Sequence, residues 1–180
     1  MALSATVFTF EIDLADADRG VYEHLDLRVA RHPSESDEFL AARILAYCLE
    51  YTAGIEFSRG LCDADEPPIA VRDMTGAMQA WIDVGLPAAE RLHRASKAAP
   101  RVVAYIHKDP AQWLRALQGA RIHRAESLEL RPLDCDLVGS VVASLERRMS
   151  FALSVSGGEV FVSLASGTLS GSVERLTLRE

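Results

Sequence analysis

Lysine is almost missing from this 180-residue chain. Lys97 and Lys108 are the only two, and arginine supplies nearly all of the positive charge. Any mechanism that needs a lysine amine therefore has two candidates. Cysteine is scarce as well: Cys48, Cys62 and Cys135 are odd in number, far apart and in no CxxC pair. That excludes a disulfide framework and reads as reduced thiols, two of them buried. The five histidines show no HxxH or HExxH spacing, so a zinc site built on paired histidines is excluded and any metal would be held by oxygens. There is no GxSxG, no GxGxxG and no Walker-type glycine loop, which removes the common nucleophile and phosphate-loop signatures. No apolar run is long enough to span a bilayer, and the opening MALSATVFTF alternates instead of placing a basic region before an apolar block. The expectation is a cytoplasmic protein with no membrane partner. Positive charge is in deficit too: the formal net charge of −7 argues against non-specific affinity for nucleic acid.

What is present is the composition of a single globular domain, 49% hydrophobic and 25% charged. Thr6, Phe8, Phe10, Ile12 and Leu14 alternate with more polar neighbours, as do Leu25, Leu27 and Val29, which predicts a hairpin of two long strands. Its loop is Ala15 to Gly20, with Asp16 and Asp18 read as solvated turn acids. His32-Pro33 ends the second strand. Ser34 then caps a helix running to about Tyr51, so apolar around Arg43 that a buried Arg43 needs a carboxylate partner. Glu38 stands in the first turn of this helix, where an acid either complements the dipole or turns toward a metal. Ile55 to Phe57 predicts a short strand, residues 110 to 119 a helix, Ser127 to Leu133 a strand and Asp134 to about Arg148 a second amphipathic helix. Strict alternation on both sides of Gly157-Gly158 predicts a C-terminal hairpin. The stretch Gly167 to Ser172 reads as turn material, and Val173 to Leu178 as a last strand.

The chain is organised around residues 59 to 97. Ile69 to Asp73 and Gln79 to Val84 read as an antiparallel pair turning at Asp73-Met-Thr-Gly76. A turn centred near Met74 and Thr75 places Glu66 opposite Asp83, so two acids meet at the open end. Pro87 starts and Pro100 closes a helix whose apolar stripe is Ala88, Leu92, Ala95 and Ala99. Glu90, Arg94 and Lys97 fall on the opposite side, with Glu90 and Arg94 spaced as an i,i+4 pair, and Arg91 on the flank is the basic residue best aimed at the sheet. Val102 to Ile106 should then lie parallel to the preceding strand, its end at His107-Lys108 on the side of Asp83. Asp83 with Glu66 or Asp65, and Glu38 with them, is an oxygen set that Mg²⁺ or Mn²⁺ favours. Such an ion could activate water toward a phosphodiester. The same acids also suit plain turn and capping roles. Cys62, among acids, would have its thiol pKa raised and makes a poor nucleophile.

The stretches ARHPSESDEFLAARILAY, RGLCDADEP, WIDVGLP and ERLHRASK, with the opening MALSATVFTFEIDLADADR, closely resemble the YaeQ family of small bacterial proteins over residues 1 to about 106. Beyond that point only the order of a helix followed by a hairpin matches. The resemblance implies an α/β fold, a mixed sheet flanked by helices, with a restriction-endonuclease-like PD-(D/E)XK core between an N-terminal and a C-terminal β-hairpin. In that superfamily an acid at the start of one strand and a second at the end of the next bind a divalent metal, and a lysine two residues on completes the site. Asp65 or Glu66 would fill the first place and Asp83 the second, but Gly85 stands where the lysine belongs. The basic group would come instead from the following helix, where relatives tend to carry Lys or Arg at the position of Arg94; Arg91, Lys97 and Lys108 are the other candidates. Arginine can stabilise phosphate charge but cannot act as a general base. The expectation is a Mg²⁺- or Mn²⁺-dependent phosphodiester hydrolase. Its alternative is a catalytically silent relative that binds protein or nucleic acid.

Overall fold

The computed structural model describes residues 4–59 and 63–178, and Cys62 lies outside them. The chain is a mixed α/β protein with two five-stranded mixed sheets and, among the described residues, four α-helices. It groups into two compact units, residues 1–49 with 133–173 and residues 50–132 with 174–180.

In the first unit the alternation at the N-terminus forms strands β1 (Thr6–Asp16) and β2 (Val21–Arg31), paired antiparallel over their whole length. Helix α1 (Asp37–Leu49) follows, its cap being Ser36 rather than Ser34: Ser36 Oγ accepts the Phe39 N–H at 3.1 Å, while Ser34 Oγ bonds the His32 ring. Arg43 is buried and has its carboxylate, Glu35, at 3.0 Å. Burial raises the Glu35 carboxyl pKa against the pull of Arg43. Helix α4 (Cys135–Ala143) starts at Asp134, whose carboxylate accepts from the N–H groups of Asp136 and Leu137, and is shorter than its apolar pattern suggested. Arg148, expected at its end, instead opens strand β8 (Arg148–Ser156). Strand β9 (Glu159–Leu164) returns through Gly157-Gly158, both at positive φ, the requirement of a tight hairpin turn.

Two expectations in this unit are corrected. Asp16 is not a solvated turn acid: it ends β1, is 2% exposed and holds Arg19 Nε at 2.6 Å. Gly167 to Ser172 is a strand, β10, paired antiparallel with β9. Its Gly171 owes its place to close packing, since a Cβ there would come within 2.9 Å of Leu137 on α4. The sheet order is β10-β9-β8-β1-β2, with β1 and β8 parallel.

The second unit carries the stretch of chemical interest. Strands β3 (Ile55–Phe57), β4 (Ile69–Arg72) and β5 (Met78–Val84) are antiparallel neighbours. Helix α2 (Ala89–Ala98) then crosses to β6 (Arg101–Ile106), parallel to β5, and α3 (Ala111–Gln118) leads to β7 (Glu129–Pro132), parallel to β6. Leu92, Ala95 and Ala99 pack with Trp81, Val102, Ala104, Ile106 and Leu130 in one core. Ala88 is exposed, so the helix buries a narrower stripe than its sequence offered. In place of the last strand expected over Val173 to Leu178, the described residues show isolated bridges, Val173 with Leu133 in the first unit and Leu176 with Leu130 in the second.

Candidate functional site

The site is set by the register of β4 and β5. Asp73 accepts bonds from the Thr75 and Ala77 N–H groups and from the Thr75 hydroxyl, which fixes the turn, and its own N–H reaches the Ala77 carbonyl. The register then slips at a bulge between Val71 and Arg72. Ile69 consequently faces Ile82, and continuing that register puts Pro68, not Glu66, opposite Asp83. The expected facing of two carboxylates is thus displaced by two residues.

Asp83 is the penultimate residue of β5 and is 1% exposed. Its Oδ2 accepts the indole N–H of Trp81 at 2.9 Å. Arg91, in the first turn of α2, donates Nε–H to both carboxylate oxygens, at 2.9 and 3.1 Å, and places Nη2 2.8 Å from Oδ1. The same guanidinium donates to three main-chain carbonyls: Glu66 at 2.8 Å, Ala64 at 3.1 Å and Asp63 at 3.5 Å. Its Cζ lies 5.2 Å from the Trp81 ring centroid. One arginine therefore ties the end of a strand, a helix and the 63–66 loop together. Burial pushes the Asp83 carboxyl pKa up, opposed by Arg91 and by the Trp81 N–H.

This arrangement does not fit a divalent cation. Both Asp83 oxygens are engaged, and the charge facing them is already a guanidinium. Glu66 contributes its carbonyl rather than its carboxylate. Asp65, 80% exposed, pairs with Arg94 at 3.2 Å, so Arg94 reaches the loop and not the Glu90 expected one turn earlier. Glu38 is exposed on α1 in the first unit. Among the described residues no group of three or more His, Cys, Asp or Glu side chains is placed to hold a metal. Gly85 has φ +96°, a backbone conformation that a lysine rarely adopts. Lys97 and Lys108 are exposed.

Sequence reasoning passed over a second polar cluster in this unit. Arg101 on β6 binds Glu50 at 2.5 Å and Glu129 at 2.8 Å, Tyr105 donates its hydroxyl to Glu50 at 2.7 Å, and Arg131 holds Glu129 at 2.9 Å. Its signal was available only as Arg101 and Glu129 flanking two apolar strands. The Glu129 carboxyl is held down to about 2 by its bonds to Arg101 and Arg131.

Comparison with known proteins gives a consistent result. The family model described as YaeQ protein matches residues 1–173. The chain is 31% identical to the YaeQ protein of Escherichia coli (strain K12) over 165 residues, 91% of each chain. The crystal structure of YaeQ from Xanthomonas axonopodis pv. citri superposes with a TM-score of 0.88 at 32% identity, covering 98% of this chain and 100% of that one. That from Pseudomonas syringae gives 0.84 at 31% identity, covering 96% of each. The match extends past residue 106, where the recognisable motifs stop, through the C-terminal hairpin. With sequence and fold matched along nearly its whole length, the chain belongs to the YaeQ family.

Proposed function

We propose that the protein is a binding protein built on a PD-(D/E)XK-like frame in its second unit, and that it does not hydrolyse phosphodiesters with a metal. The single observation that carries this reading is the Arg91 guanidinium, which takes the Asp83 carboxylate and the carbonyls of the acidic loop, the oxygens a cation would need. Gly85 supports it. A lysine at that point would meet the cost of positive φ, about 1 kcal/mol or more.

The partner class we propose is nucleic acid, with a protein partner as the competing outcome. The net charge of −7 resides entirely in the first unit. The second holds thirteen acidic and thirteen basic side chains, and so two thirds of the chain's nineteen basic residues. That unit therefore carries no net negative charge to repel phosphates. Fluorescence anisotropy with labelled DNA and RNA, single- and double-stranded, tests the reading when run with Mn²⁺ and with chelator. Binding unaffected by chelator, preserved in Asp83→Asn and leaving the strands intact is the expected result. Cleavage that requires Mn²⁺ and disappears in Asp83→Asn would overturn it.

A further inference from the structure

An open groove of about 590 Å³ lies in the second unit between α2 and the 120–121 segment, lined by Ala89, Glu90, His93, Arg94, Ala120 and Arg121. It lies on the face of α2 formed by Glu90, His93 and Arg94, whereas Arg91 reaches from the flank to Asp83. Its size falls in the range of about 300–1,000 Å³ usual for small-molecule sites. Arg121 is exposed and forms no ion pair among the described residues. Arg94 makes one bond among the described residues, from Nη1 to Asp65, which leaves most of its five N–H donors available to a ligand.

Histidine chemistry sharpens the site. His93 Nδ1 accepts the backbone N–H of His123 at 3.2 Å, so the neutral ring carries its proton on Nε2 and brings a donor. The His123 ring stands edge-on to it, with centroids 6.4 Å apart. Two guanidiniums and an imidazole N–H favour an anion with several oxygens, and arginine forks match phosphate geometry. Glu90 on the same wall would repel a bare dianion but can accept a hydroxyl, so the lining suits a phosphate joined to a hydroxyl-bearing sugar. We infer that this groove binds the phosphate monoester of a hydroxyl-bearing sugar, with a free nucleotide and the 5′-terminal nucleotide of a strand as its two candidate sources. The inference stands on the groove alone and does not depend on what Asp83 does.

Calorimetric titration of the intact protein with AMP, adenosine, inorganic phosphate and a short oligonucleotide with and without a 5′-phosphate tests it. AMP should bind and adenosine should not. Arg121→Ala and Arg94→Ala, both at exposed positions, should each weaken AMP binding by about tenfold while circular dichroism and melting temperature stay unchanged, with Arg121→Lys recovering part of the loss. A phosphorylated strand binding about tenfold more tightly than AMP assigns the site to strand ends, and the reverse order assigns it to free nucleotides. Absence of binding by AMP and by the phosphorylated strand at millimolar concentration overturns the inference. So does equal affinity of adenosine and AMP, or an Arg121→Ala protein that binds as the wild type does. Failure here leaves Asp83→Asn and the metal experiments unaffected, so the two readings fail separately.

Discussion

Arg91 ties three parts of the second unit together, because its partners come from β5 and from the loop before β4 while it stands on α2. Among the described residues, removing it leaves the buried Asp83 carboxylate with the Trp81 N–H alone. Breaking a buried pair in this way costs about 3–5 kcal/mol, less where the orphaned acid can take up a proton. Burial already raises the Asp83 pKa, and losing the guanidinium raises it further. A raised folded-state pKa gives stability that is fully present below the unfolded value of 3.8 and lost as pH rises through the folded value. Arg91→Ala should therefore be destabilised more at pH 8 than at pH 5, read from denaturant midpoints against the wild type. An equal loss at both pH values would mean that Asp83 does not feel Arg91. Arginine was visible in the sequence as the basic residue aimed at the sheet, but a helical wheel gives direction and not partner. Main-chain carbonyls, which are half of what it holds, have no sequence signature.

At the scale of elements, local pattern was legible and non-local pairing was not. Alternation marked β1 and β2, and β8 and β9, because a half-buried strand displays its two faces directly in the sequence, while β4 and β5 showed as short apolar runs on either side of a turn signal. The parallel pairing of β1 with β8, Thr9 beside Arg148, joins residues far apart in the chain and leaves no local trace. Strand β10 was hidden by Gly171, whose missing side chain accommodates α4 rather than marking a turn. The misplaced partner of Asp83 came from a turn one residue longer than assumed and a bulge beside it, neither of which shifts the hydrophobic pattern. The joint of β6 and β7 makes its own prediction. Glu129, lowered to about 2 by Arg101 and Arg131, stabilises the fold above its unfolded value of 4.5 and loses that contribution as pH falls toward 2. Glu129→Gln should flatten the dependence of melting temperature on pH between about 4.5 and 2. A variant that keeps the wild-type slope would show that the pair contributes nothing there.

For the whole molecule, the family and the mixed α/β class were readable from motifs in the first two thirds of the chain, and the matched length now runs to residue 173. Charge read over the entire chain was misleading, since averaging the acidic first unit with a neutral second unit conceals where the arginines are. Among the described residues no helix is long and apolar enough to cross a membrane. The central claim is that an arginine holds the oxygens a metal would otherwise take. The most direct measurement is calorimetric titration of Mn²⁺ into the wild-type protein and into Asp83→Asn. The account predicts indistinguishable traces, with no binding that depends on the Asp83 charge. Binding in the micromolar to low millimolar range that vanishes in Asp83→Asn would contradict it and restore the hydrolase reading.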